Sequence, residues 1–160
     1  MEQVAEIDGV TFINDTTATA PVAAAAALDA LAGGSGRIHL LAGGADKGLD
    51  PSPLADAAAQ RGATVYLFDG TATPALEAAL RARGIEPLGP FTSMTEILTA
   101  ARAASAAGDV IVLSPGCASF GLFQDEFDRG ARFRDAVAMD RAQGTISNSP
   151  SPIAMGEGLG

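Results

Sequence analysis

The side chains with chemistry to offer fall in three short stretches: Asn14-Asp15-Thr16-Thr17-Ala18-Thr19, Gly43-Gly44-Ala45-Asp46-Lys47-Gly48 and Ser114-Pro115-Gly116-Cys117-Ala118-Ser119. They supply a carboxylate at Asp15, hydroxyls at Thr16, Thr17, Thr19, Ser114 and Ser119, and the chain's only lysine, Lys47, beside the carboxylate of Asp46. A cation and hydroxyls next to free backbone N–H groups suit the holding of a carboxylate or phosphate. They do not suit self-sufficient catalysis, and no catalytic residue is assigned. A Ser-His-Asp triad needs a histidine, and the only one, His39, falls inside an apolar run where a buried structural role is expected. Cys117 has no histidine placed to activate it and is expected as a small buried thiol. One cysteine and one histidine leave no set for a zinc site, and no metal ligand is assigned.

The glycine turn around Lys47 is not a nucleotide-phosphate cradle. A Walker A loop needs G-x-x-x-x-G-K-[ST], and Gly48 stands where the Mg²⁺-binding hydroxyl belongs. The spacing does not fit the dinucleotide fingerprint either. An anion-holding turn remains, in competition with a plain connector that binds nothing.

These stretches must be positioned by regular elements, and the pattern supplies them. Val4–Ile7 and Val10–Ile13 flank Asp8-Gly9, the dipeptide of a type I′ hairpin turn. An alanine-rich helix follows Pro21, with apolar positions at Ala24, Ala25, Leu28, Leu31 and Ala32, and Gly33-Gly34 ends it. Arg37–Leu41, Ala63–Phe68, the weaker Glu86–Phe91 and Asp109–Leu113 read as strands. Between them, Asp50-Pro51 and Thr73-Pro74 read as cap-and-proline helix starts, and Ser93 with Glu96 reads as a capping box before a helix burying Ile97, Leu98, Ala101, Ala104 and Ser105. A last helix is expected over Gln124–Arg141, with Phe127, Ala131, Phe133 and Val137 facing the core. From Gly144 the sequence is rich in Ser, Pro and Gly, without periodicity, and reads as a disordered tail. The fold class expected is α/β: a Rossmann-like, largely parallel sheet with helices on both faces and an N-terminal β-hairpin. In such sheets ligands sit at the carboxyl ends of the strands, which is where all three stretches and Asp69-Gly70-Thr71 fall.

Composition narrows the partners. With 160 residues, 48% hydrophobic and 18% charged, the chain suits one folded domain. A formal charge of −9 without any Lys/Arg cluster disfavours nucleic acid and anionic membrane surfaces. No window approaches the roughly 20 apolar residues of a membrane span. A lone cysteine and a start lacking a signal-peptide pattern point to a cytoplasmic setting.

Taken in order, Asn14–Thr19, Gly43–Gly48, Leu113–Phe120 and Phe127-Asp128-Arg129-Gly130-Ala131-Arg132-Phe133 resemble the third, C-terminal domain of the Mur ligases, over about Gln3 to Met139. The resemblance implies part of an ATP-dependent amide-bond-forming ligase of peptidoglycan synthesis, a monomer that adds D-glutamate to UDP-N-acetylmuramoyl-L-alanine. In that family the acceptor carboxylate is activated as an acyl phosphate, which the glutamate amine attacks. The resemblance assigns Thr19, Lys47, Ser119 and the backbone at Phe120 to the glutamate carboxylates, and Asp15 to the ribose region of ATP. It assigns Mg²⁺ to a central P-loop domain that these residues do not contain. Residues 1–142 would form the amino-acid-binding domain and 143–160 the tail, inactive alone. Where many members carry a lysine this chain has Thr17, which leaves Lys47 as the one side-chain cation for the ligand; Arg129 is expected as a structural helix arginine. A free-standing, non-catalytic amino-acid or nucleotide-binding module is the alternative.

Overall fold

Side-chain alternation along the strands explains why the sheet must be covered on both faces. Leu40, Ala42, Val65, Leu67 and Val112 belong to one core cluster, while Leu41, Tyr66, Phe68, Ile111 and Leu113 belong to the other. Successive residues of a strand point to opposite faces, so a strand that is apolar at every position demands two cores. The computed structural model describes residues 1–147 and has this arrangement.

The elements in chain order are β1 (Glu2–Ile7), β2 (Val10–Asn14), α1 (Pro21–Ala30), β3 (Ile38–Ala42), α2 (Ser52–Arg61), β4 (Thr64–Phe68), α3 (Thr73–Arg81), β5 (Leu88–Phe91), α4 (Met94–Ala104), β6 (Val110–Leu113) and α5 (Glu126–Ser147). Six strands form one sheet in the order β1-β2-β6-β3-β4-β5. Only the β1–β2 pair is antiparallel. Its turn has Asp8 at φ 51° and Gly9 at φ 79°, the two positive values that a type I′ turn requires. Helices α1, α2 and α3 supply Leu28, Leu54 and Leu80 to one core; α4 and α5 supply Ile97, Phe133 and Val137 to the other. Strand β6 returns between β2 and β3, so the carboxyl ends of β2, β6, β3 and β4 lie side by side. That juxtaposition assembles the candidate site. No helix among the described residues is long and apolar enough to cross a membrane.

Local expectations need correction at several points. Helix α2 starts at Ser52, one residue later than the Asp50-Pro51 cap implied, with Asp50 Oδ1 accepting the Ser52 N–H at 2.9 Å. Thr73 is not a cap: its hydroxyl donates to the Phe68 carbonyl at 2.6 Å, because the side chain is buried against the end of β4. The Ser93 cap is present, but Glu96 reaches Thr92 rather than Ser93, and Ala104 is exposed at the helix end. Helix α5 presents Arg129, Phe133, Ala136 and Val137 inward, leaving Phe127 and Ala131 exposed. The inward stripe includes a charged residue, so an apolar count finds Phe133 and Val137 but misses Arg129 and adds Phe127 and Ala131. Of the tail expected from 143, residues 143–147 continue α5, and 148–160 lie outside the described residues.

At the opposite edge of the sheet, His39 is fully buried. Its Nε2 lies 2.9 Å from Asp109 Oδ2 and its Nδ1 lies 3.0 Å from the Tyr66 hydroxyl. A carboxylate only accepts, so Nε2 carries a proton, and in the neutral ring Nδ1 accepts from Tyr66. Asp109 also accepts the backbone N–H groups of Arg37 and Ala106, at 2.9 and 3.0 Å. Burial works against its charge, but the His39 bond and the two N–H groups outweigh it and hold the carboxyl below its ordinary value.

Candidate functional site

The loops at the carboxyl edge are joined backbone to backbone. Ala45 and Ala118 exchange N–H to carbonyl bonds at 2.9 and 3.2 Å, Gly43 N–H donates to Pro115 O at 2.9 Å, Gly116 N–H to Ala18 O at 2.8 Å, and Ala72 N–H to Gly44 O at 3.0 Å. Four loops from four strands are thereby held in one layer. Gly44 is required there: it has φ 146°, and a Cβ would strike the Ala118 carbonyl. Two further bonds shape the turn that presents Lys47. Asp46 N–H donates to Thr71 Oγ1 at 2.8 Å, and Asp46 Oδ1 accepts Gly48 N–H at 2.8 Å. The Asp46 carboxylate is therefore engaged within its own turn.

Lys47 is exposed, and its Nζ reaches Thr19 Oγ1 at 3.4 Å, a long contact. Among the described residues no carboxylate pairs with it within 4.0 Å. Thr19, Asp46 and Lys47 line a small open pocket, with Leu49, Leu54, Leu76 and Cys117 among its apolar walls. The starts of α1, α2 and α3 contribute Pro21, Pro51 and Ala72 to the same pocket, and none of these helices has a capping side chain at its N-cap position. Three helix dipoles with their positive ends toward one cavity, together with an unpaired ammonium, favour an anionic guest.

The other assigned residues sit around this pocket rather than in it. Ser119 is buried and Phe120 is 67% exposed; both line a neighbouring cleft with Gly43, Gly44 and Arg129. Asp15 lines neither cavity. It is 9% exposed, its Oδ2 accepts the Ser114 hydroxyl at 2.8 Å, and its Oδ1 lies 3.4 Å from the Met1 amino group. Thr17, where the resemblance noted a missing lysine, is exposed. The apolar walls and the Thr71 brace were not found from the sequence, because their partners come from separate units.

Residues 1–117 match the family described as Mur ligase, glutamate ligase domain. The chain belongs to that family. It is 50% identical over 139 residues to a UDP-N-acetylmuramoylalanine–D-glutamate ligase of Roseiflexus sp. (strain RS-1), covering 86% of this chain and 29% of that protein. It is 44% identical over 132 residues to the enzyme of that name from Treponema pallidum, covering 82% of this chain and 24% of the relative. The chain thus spans under a third of the length of these relatives. In fold it resembles a domain assigned to a UDP-N-acetylmuramate:L-alanyl-gamma-D-glutamyl-medo-diaminopimelate ligase of Haemophilus ducreyi, with TM-score 0.54 and 19% identity over 72% of this chain and 86% of that one.

Cys117 borders the pocket, and its thiol is buried. Burial pushes its thiol up to about 11, with the Arg129 charge opposing only in part. At pH 8 the native domain is expected to resist an aromatic disulfide reagent that titrates one thiol after unfolding. Rapid native reaction, followed by thiolate release, would mean that the pocket floor opens readily.

Proposed function

We propose that this chain is the amino-acid-binding domain of an ATP-dependent ligase that adds D-glutamate to UDP-N-acetylmuramoyl-L-alanine. The observation that carries the proposal is Lys47, a cation without a carboxylate partner among the described residues, directed toward Thr19 at the rim of a pocket bounded by three helix N-termini. The names of the relatives supply the substrate class. Lys47 and Thr19 grip one glutamate carboxylate; Ser119 and the backbone at Phe120 act from the adjoining cleft. An anion held in this way is oriented for attack by its amine, which is what an acyl-phosphate mechanism asks of the amino-acid site.

ATP and its Mg²⁺ are held chiefly by a P-loop domain beyond this chain. The donor chemistry fits a minor share here: Asp15, oriented by the Ser114 hydroxyl, is an acceptor of the kind a ribose hydroxyl needs. The isolated chain is expected neither to hydrolyse ATP nor to form the amide. The ligase acts as a monomer in the cytoplasm.

The test is a chimera in which this chain replaces the corresponding domain of the Roseiflexus ligase. Phosphate release that requires D-glutamate together with UDP-N-acetylmuramoyl-L-alanine is the expected result. A folded chimera silent with D-glutamate but responsive to another amino acid would overturn the substrate assignment.

A further inference from the structure

Arg129 is the most deeply buried charged side chain described, 1% exposed, and its partners are not carboxylates. Its Nε donates to Thr16 Oγ1 at 3.0 Å, one terminal nitrogen donates to Thr16 O at 2.8 Å, and the other donates to Cys117 O at 3.1 Å. The Thr16 hydroxyl donates in turn to Glu126 O, at 2.7 Å, in the first turn of α5. Gly130 lets the helix approach this closely: a Cβ there would lie 2.7 Å from Thr16 Cγ2 and 3.1 Å from Asn14 Nδ2. Burial lowers the guanidinium's pKa to about 10, which still leaves it a cation at neutral pH.

One planar fork therefore ties the loop after β2 to the loop after β6. Thr16 is the neighbour of Asp15, and Cys117 lies two residues before Ser119. The geometry points to Arg129 as a positioning residue that couples these loops, so that the Asp15 side and the Ser119 side of the site form as one unit. The ligand consequences rest on the functional reading above; the coupling itself does not. A guanidinium suits the task because its donors are fixed in one plane and can span two carbonyls, which a lysine's single ammonium does less well.

The Gly116 amide, donating to Ala18 O, reports directly on contact between the two loops. Hydrogen exchange followed by NMR on the whole chain tests the coupling without ligand. In Arg129→Met the hydrogen-bonded amides of Asp15, Ala18, Thr19, Ser114, Gly116 and Ala118 are expected to exchange at least about tenfold faster, while those of β3 and β4 keep their protection. Arg129→Lys restores part of the difference. In parallel, apparent affinities for D-glutamate and ATP fall together, by about tenfold or more. Should Arg129→Met not fold cooperatively, Thr16→Val carries the test, with a smaller change in the same two loops. Equal loss of protection in loops and sheet, or a change confined to α5, would overturn the coupling and leave Arg129 a purely structural residue. Wild-type protein that binds neither ligand would defeat the functional reading, and the exchange measurement would still decide the role of Arg129.

Discussion

Lys47→Ala is expected to weaken D-glutamate binding about 10- to 100-fold, the loss of a charge-assisted contact of about 1.5–3 kcal/mol. Calorimetric titration of the two proteins measures it. The unfolding temperature should stay within error of wild type, because Lys47 is exposed, forms no ion pair among the described residues and touches Thr19 only at 3.4 Å. Its turn is shaped by Asp46, Gly48 and Thr71, all of which the substitution leaves in place. An unchanged affinity would move the carboxylate contact away from this turn. Lys47→Arg should recover only part of the loss, since the planar fork places its charge differently from a compact ammonium.

Asp109→Ala has the opposite signature, a large effect on stability from the edge of the sheet remote from ligand. It leaves His39 Nε2 and the N–H groups of Arg37 and Ala106 without their acceptor. The expected loss is about 3–5 kcal/mol, read by urea unfolding at pH 7. That corresponds to a fall in unfolding temperature of roughly 10 °C or more. The acid limb should change as well. The folded-state pKa of Asp109 is depressed below the ordinary 3.8, so its contribution is fully present above that value and is lost as pH falls through the lower, folded value. Asp109→Asn removes this part of the acid dependence, and its stability should fall less steeply than wild type below about pH 4. Parallel profiles for the two proteins would mean that another carboxylate dominates the acid limb.

The contrast between these substitutions follows from where each kind of information resides. The β/α alternation, the hairpin at Asp8-Gly9 and the gathering of the loops at one edge were legible because each depends on local pattern or on a general rule of parallel sheets. The inward face of α5 was not. Phe127 and Ala131 fit an apolar stripe, yet the helix turns Arg129 inward, because the acceptors that satisfy it are Thr16, 113 positions away, and Cys117. Thr73 misled for a similar reason: its hydroxyl finds the Phe68 carbonyl five residues back, a partner created by the turn itself. The candidate residues were legible as a set, but their distribution was not. Thr19 and Lys47 share a pocket, Ser119 and Phe120 occupy the next cleft, and Asp15 is held apart by Ser114. A sequence places residues on an edge of a sheet; only packed backbone decides which cavity each one faces.

The most direct measurement is an NMR titration of the ¹⁵N-labelled chain with D-glutamate, with L-glutamate alongside. The account predicts saturable shifts at the amides of Thr19, Lys47 and Ser119, larger for D- than for L-glutamate, and reached at Thr19 in Lys47→Ala only at about 10- to 100-fold higher ligand. Unmoved resonances at all three positions under saturating D-glutamate would contradict it.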